Sequence, residues 1–176
     1  MRRLPHQYPE DRALFITWHL HGSLPASRFP VPHKQSAGRA FAWIDRYLDA
    51  TTTGPLWLKQ DAIARLVVEA IRFGEEKLKY YGLEAYVVMA NHVHLLAWPR
   101  VPPPRFLRSL KGYTAREANK ILGRTGEAFW QKESYDHWVR NTAELERIRS
   151  YVEQNPVKAG LVSSPQDYPR SSASRP

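Results

Sequence analysis

The chain has 176 residues, enough for one domain with a substantial core, and no cysteine, which excludes a disulfide framework, a thiolate metal site and a cysteine nucleophile. Its 26 Lys and Arg against 17 Asp and Glu leave a formal charge of +9, a balance that favours polyanionic partners through counterion release. The opening Met1-Arg-Arg-Leu-Pro-His lacks the apolar core of a signal peptide and no run is long enough to span a bilayer, so no membrane partner and a cytoplasmic location are expected.

Residues 13–21 (Ala-Leu-Phe-Ile-Thr-Trp-His-Leu-His) read as a first strand, rich in aromatic and branched residues. Residues 22–38 are proline-rich and polar, a surface excursion. Residues 39–50 read as a short helix with Phe41, Ile44 and Leu48 along one face, and Asp61–Lys79 as a longer one carrying Ile63, Leu66, Val67, Ala70, Ile71 and Leu78. Two strands, 84–90 and 92–98, form a hairpin turning around Ala90-Asn91. The rigid connector Val101-Pro-Pro-Pro104 leads into a helix to about Leu122. Residues 128–130 and 134–140 suggest a final irregular strand. Asn141 with Glu144 three residues on is the capping-box start of another helix, whose buried stripe is Leu145, Ile148 and Val152. Pro156 ends that helix near Asn155, and Gly160 permits the turn that follows. The order β-α-β-β-α-β, then helix, predicts an α+β fold on the ferredoxin-like split βαβ plan. It has an antiparallel sheet, its two main helices on one face, and residues 39–50 as an inserted helix. The expected organisation is one domain over 1–176, with a core from 13 to 162 and a surface tail from 163 that frays near its end.

Two segments carry candidate chemistry. In Tyr86-Val-Val-Met-Ala-Asn-His92-Val-His94-Leu-Leu-Ala-Trp98 strand alternation sends His92 and His94 to one face and Val93 and Leu95 to the other. Two imidazoles about 7 Å apart along a strand can hold one divalent metal between them. Sixty residues on, Tyr151 and Asn155 stand four apart on one helix face, which can bring a hydroxyl nucleophile beside a metal-ligating amide. A rival pair, His19 and His21, shares a strand face too, and spacing alone does not separate the pairs; it reads as a polar strand end or a nucleic-acid contact. The helix Arg105-Phe-Leu-Arg108-Ser-Leu-Lys111-Gly-Tyr113-Thr114 mixes cations with an aromatic, which suits phosphate contacts and base stacking.

Together these segments resemble a known family. His92-Val93-His94 is similar to the histidine-hydrophobe-histidine (HUH) motif. Tyr151 with Asn155-Pro156-Val157-Lys158-Ala159-Gly160 resembles the catalytic helix of single-tyrosine, IS200-like transposases, most of all those associated with repetitive extragenic palindromes. Phe129-Trp130-Gln131, Tyr135-Asp136-His137, Val139-Arg140-Asn141, Asp167-Tyr168-Pro169 and Ser171-Ser172 extend the likeness over residues 13–172 in order. Ala90 departs from it, where relatives usually carry proline. The resemblance implies a C-terminal catalytic-tyrosine helix packed on the histidine face of the sheet. It implies Tyr151 as nucleophile and His92, His94 and Asn155 as ligands of Mg²⁺ or Mn²⁺. Lys111 and Thr114 match positions where relatives carry Lys and a hydroxyl residue, and with Arg108 and His137 they are the expected DNA contacts. The implied partner is single-stranded DNA with a hairpin, handled by a monomer or a homodimer. The implied activity is metal-dependent strand nicking and joining through a 5′-phosphotyrosine, that is, DNA transposition. Two other functions fit the residues: a hairpin-binding protein that does not cut, and a metal-dependent phosphodiesterase that activates water.

Overall fold

The computed structural model describes residues 11–24 and 37–174, of which 37–42 by backbone alone. Most of the predicted proline-rich excursion, and the side chain of Phe41, lie outside the described residues. The elements are β1 (Leu14–His19), α1 (Ala37–Ala50), α2 (Asp61–Glu76), β2 (Tyr81–Val88), β3 (His92–Pro99), α3 (Pro103–Ile121), β4 (Tyr135–Trp138) and α4 (Thr142–Lys158). The strands form one antiparallel sheet in the order β2-β3-β1-β4, which is the ferredoxin-like arrangement expected of an α+β chain.

Alternation along the strands divides the interior in two. Leu14, Ile16 and Trp18 of β1 and Val93, Leu95 and Ala97 of β3 face α2 and α3, whose Ile63, Val67, Ile71, Phe106 and Leu110 complete the main core. The opposite face presents Phe15, Val87 and Leu96 to α4, where Val152 is fully buried and Leu145, Ile148 and Tyr151 pack around it. The tyrosine helix therefore docks on the histidine face, as expected.

Close approach of α2 to β2 depends on one glycine. A Cβ added at Gly74 would lie 2.5 Å from Tyr81 Oη and 2.9 Å from its Cζ. The Tyr81 ring is buried and its hydroxyl donates to Ile71 O at 2.8 Å, so it has little room to yield. Gly74→Ala is expected to destabilise the protein by about 1–3 kcal/mol through overpacking. Urea unfolding checks this, and combining it with Tyr81→Phe should give a non-additive loss because the nearest clashing atom is gone.

Several boundaries differ from expectation. Helix α2 stops at Glu76, because Lys79 adopts a left-handed φ of 54° and Tyr80 N donates to Gly74 O, turning the chain straight into β2. That strand accordingly starts at Tyr81, and its register shifts between Leu83 and Ala85. Residues 128–130 contribute a single bridge, Leu20 to Trp130, rather than a strand. Pro156 lies inside α4: it removes one backbone donor in the last turn, and the helix closes beyond it through Ala159 N to Asn155 O and Leu161 N to Pro156 O, with Gly160 at φ 69°.

The C-terminal segment lies along the surface of the sheet and is tied there by hydrogen bonds. Tyr168 Oη donates to Val88 O at 2.9 Å, Val88 N donates to Arg170 O, and Tyr86 N donates to Ser172 Oγ. Ser171 bridges Val87, so residues 168–172 run along the outer edge of β2.

Candidate metal and tyrosine site

His92 and His94 are fully buried on β3, and their Nε2 atoms converge to 3.2 Å. Each ring is held by its other nitrogen. His92 Nδ1 donates to Asn91 Oδ1 at 2.7 Å, and the Asn91 amide is fixed by Nδ2 donating to Leu48 O of α1. An acceptor at Nδ1 leaves the His92 Nε2 lone pair free. Burial, with His94 and His19 nearby, pushes the His92 pKa well below its ordinary value, so the ring is neutral and ready to ligate. His94 Nδ1 is 2.7 Å from Thr17 Oγ1, its cross-strand partner, and a hydroxyl can accept from a ligating imidazole.

The spacing fits an ion. Two ligands at a right angle on an octahedral ion with bonds of about 2.1 Å sit about 3.0 Å apart, close to the observed separation of the two nitrogens. Asn155, buried on α4, brings its amide Nδ2 to 3.3 Å from His94 Nε2, and its Oδ1 has no hydrogen-bond partner among the described residues. A half-turn of that amide would present an oxygen to the same spot. Tyr151, one turn before, stands with its ring centroid 5.6 Å from that of His94. Phe15 stacks on His94 at 5.6 Å and meets Tyr151 edge-on at 6.2 Å. The Lys158 ammonium lies 4.9 Å over the Tyr151 ring.

Helix α1, read from sequence as an insertion, adds two carboxylates. Asp45 Oδ1 is 3.1 Å from His94 Nε2 and 4.0 Å from His92 Nε2, and Asp49 Oδ1 is 3.5 Å from His92 Nε2. Among the described residues Asp45, His92 and His94 form a buried group able to hold a metal. Sequence reasoning missed both acids. The available signal was position: each follows a residue of the α1 stripe, Ile44 or Leu48, at the margin of the apolar face. A cavity of about 550 Å³ separates α1 from α4, with Asp45, Asp49, Tyr151, Asn155 and Lys158 among its walls.

Burial, then the neighbouring Asp45, raises the Asp49 carboxyl to about 6, against pulls from His94 and Lys158. The unfolded chain releases that proton near 3.8, so between the two values the folded state binds more protons than the unfolded. Stability of the metal-free protein therefore falls as pH rises through this window. With Asp49 about a fifth exposed and partly screened, the cost is about 1–2 kcal/mol. Asp49→Asn should recover that amount in urea titrations at pH 8 and nothing measurable at pH 4.

The other expected site residues scatter. Arg108 is exposed on α3 and lines a groove of about 710 Å³ shared with residues 127–132 and 138. Lys111 borders the same groove but donates to Gln131 O at 2.7 Å and Lys132 O at 3.0 Å, so it pins that segment. Thr114 is buried: its hydroxyl donates to Leu110 O and accepts from Trp130 Nε1, which makes it a packing residue in place of the expected DNA contact. His137 sits on β4 with Nε2 3.2 Å from Glu144 Oε1, and Glu144 also accepts from Arg140 N at the start of α4. His19 is the cross-strand partner of His92, but its Nδ1 contacts Ser23 Oγ and Leu20 O, and among the described residues it belongs to no group able to hold a metal.

A sequence model of the family described as "Transposase IS200 like" matches residues 57–155. No curated protein sequence matches the chain. Among solved structures, a REP-associated tyrosine transposase bound to a REP hairpin is similar at 20% identity and a TM-score of 0.59, covering 97% of this chain and 82% of that one. A putative transposase from Deinococcus radiodurans is similar at 16% identity and a TM-score of 0.45, covering 88% and 98%. The first of these has the same fold. The family match takes in both the His92-Val93-His94 strand and the Tyr151 helix over more than half the length, and on that ground the chain belongs to the IS200-like transposase family.

Proposed function

We propose that this protein is a metal-dependent strand transferase for single-stranded DNA, acting at hairpins with Tyr151 as nucleophile. The observation that carries the reading is the meeting of the Tyr151 ring with His94, where two imidazole Nε2 atoms and buried oxygen ligands already converge. Tyr151 Oη attacks the scissile phosphorus in line, the bond to the 3′ oxygen breaks, and the products are a 5′-phosphotyrosine and a free 3′-hydroxyl. Attack by another 3′-hydroxyl reverses the step and joins strands without an external energy source.

His92, His94 and Asn155 would hold Mg²⁺ or Mn²⁺, which when bound polarises a non-bridging phosphate oxygen. Oxygen-rich ligation beside imidazole suits Mn²⁺ or Mg²⁺ better than zinc, which favours closed tetrahedral sites. The Lys158 ammonium, 4.9 Å over the Tyr151 ring, places a positive charge beside the attacking group and the phosphate it meets. The Arg108 groove on α3 supplies phosphate contacts beyond the cut site. That a similarly folded relative was solved with a REP hairpin supports hairpin DNA as the substrate class.

The test is capture. Labelled single-stranded hairpins from the gene's own flanks, incubated with the protein and Mn²⁺ or Mg²⁺, should leave label on wild-type protein in denaturing gels. Nicking without protein-bound label would favour hydrolysis by activated water. Tight binding with neither label nor nicking would favour a binding module.

A further inference from the structure

The family match begins at residue 57, so it excludes α1, yet α1 sends two carboxylates to the histidine centre. Asp45 and Asp49 are one turn apart and project from the same side of α1. Asp45 is about nine-tenths buried or more, an unusual environment for a carboxylate unless something neutralises it. The nearest candidates for that task, His92 and His94, already give their Nδ1 atoms to Asn91 and Thr17.

The distances suggest what does neutralise it. Asp45 Oδ1 to His94 Nε2, His92 Nε2 to His94 Nε2 and the Asn155 amide to His94 Nε2 measure 3.1, 3.2 and 3.3 Å. Each is near the length of an octahedron edge around a small hard cation. Asn155, in the wall of the same cavity, has its Oδ1 buried without a partner among the described residues, and turning the amide over would bring this acceptor, independent of the acids, to His94 Nε2. We infer that α1 completes the metal centre: Asp45 is a direct ligand, and Asp49 is a second carboxylate of the same centre. The ion is thereby enclosed by two histidines, one carboxylate and one amide, drawn from β3, α1 and α4, with Asp49 beside His92 as a further charge outside the ligand set. The inference rests on the metal site proposed above.

Two consequences follow. The centre's two negative charges cancel a divalent ion, so it should hold Mn²⁺ more tightly than a neutral two-histidine, one-amide site could. Metal binding should also fasten α1 to the sheet, because the ion bridges Asp45 to β3.

The test is Mn²⁺ binding by the full chain without DNA, followed by calorimetry and by the loss of free-ion electron paramagnetic resonance signal. Asp45→Asn should weaken Mn²⁺ by at least the about 10–100-fold that removal of an outer-sphere partner costs, and Asp49→Asn by about 10-fold. Glu146→Gln, which breaks only a surface pair with Arg149, should leave affinity unchanged. Asp45→Cys should exchange the preference for Mn²⁺ for one for Cd²⁺, a swap that a purely structural aspartate would not give. Affinity within twofold of wild type in both Asn variants, with binding lost in His94→Gln, would overturn the α1 assignment and leave the metal site standing. No Mn²⁺ binding by wild type would overturn both.

Discussion

Tyr151→Phe should abolish the covalent protein–DNA product and depress strand cleavage on the order of 10⁴-fold or more, as loss of a nucleophile does where no second group can replace it. The substitution removes one oxygen and keeps the ring. That ring still meets His94 at 5.6 Å and Phe15 at 6.2 Å and still lies under Lys158, so the helix should stay docked. Stability should change by no more than about 1 kcal/mol, the net worth of a hydrogen bond. Hairpin affinity should hold within about twofold. A variant that folds, binds and forms no adduct identifies the reacting atom; cleavage that persists at a tenth of the wild-type rate would sink the tyrosine mechanism.

His94→Ala should be the other severe change, for a different reason. The imidazole is fully buried and touches Thr17, His92, Asp45 and Asn155 while stacking on Phe15. Truncation opens a cavity and strips Asp45 of its nearest polar neighbour, a combined cost of about 2–4 kcal/mol. The metal effect can be read separately. Wild-type protein with Mn²⁺ at a hundred times its dissociation constant should gain about 2.7 kcal/mol over the metal-free form, and the variant should gain almost nothing. His94→Gln preserves more volume and guards against a protein that fails to fold. Metal-induced stabilisation that survives in both variants would mean the ion sits elsewhere.

Much of this centre could be read from residue order because strand alternation is a strict rule. His92 and His94 had to share a face, and apolar Val93 and Leu95 had to take the other, so the helix-covered core and the site separate cleanly. The Asn141 cap was equally legible, since Asn141 Oδ1 accepts from Glu144 N as the pattern predicts. What escaped was whatever depends on how elements meet. Asp45 and Asp49 look like a solvated helix edge until the backbone brings α1 against Asn91. Lys111 and Thr114 look like a nucleic-acid face until Trp130 and the Gln131 carbonyl claim them. Local periodicity tells which side of a helix is apolar, and says nothing of which polar side meets another element.

Sheet edges invite other chains, because their unpaired amides can accept a further strand. Here β2 and β4 are the outer strands, and residues 168–172 occupy the outer side of β2 through Val88 N to Arg170 O and Tyr86 N to Ser172 Oγ. That segment works as a built-in guard against self-association: any sheet-to-sheet assembly between copies is directed to the four-residue β4, away from the apolar run Tyr86-Val87-Val88. Residues 168–172 thus cover a strand edge that would otherwise be open to pairing, a role quite apart from the chemistry of the site.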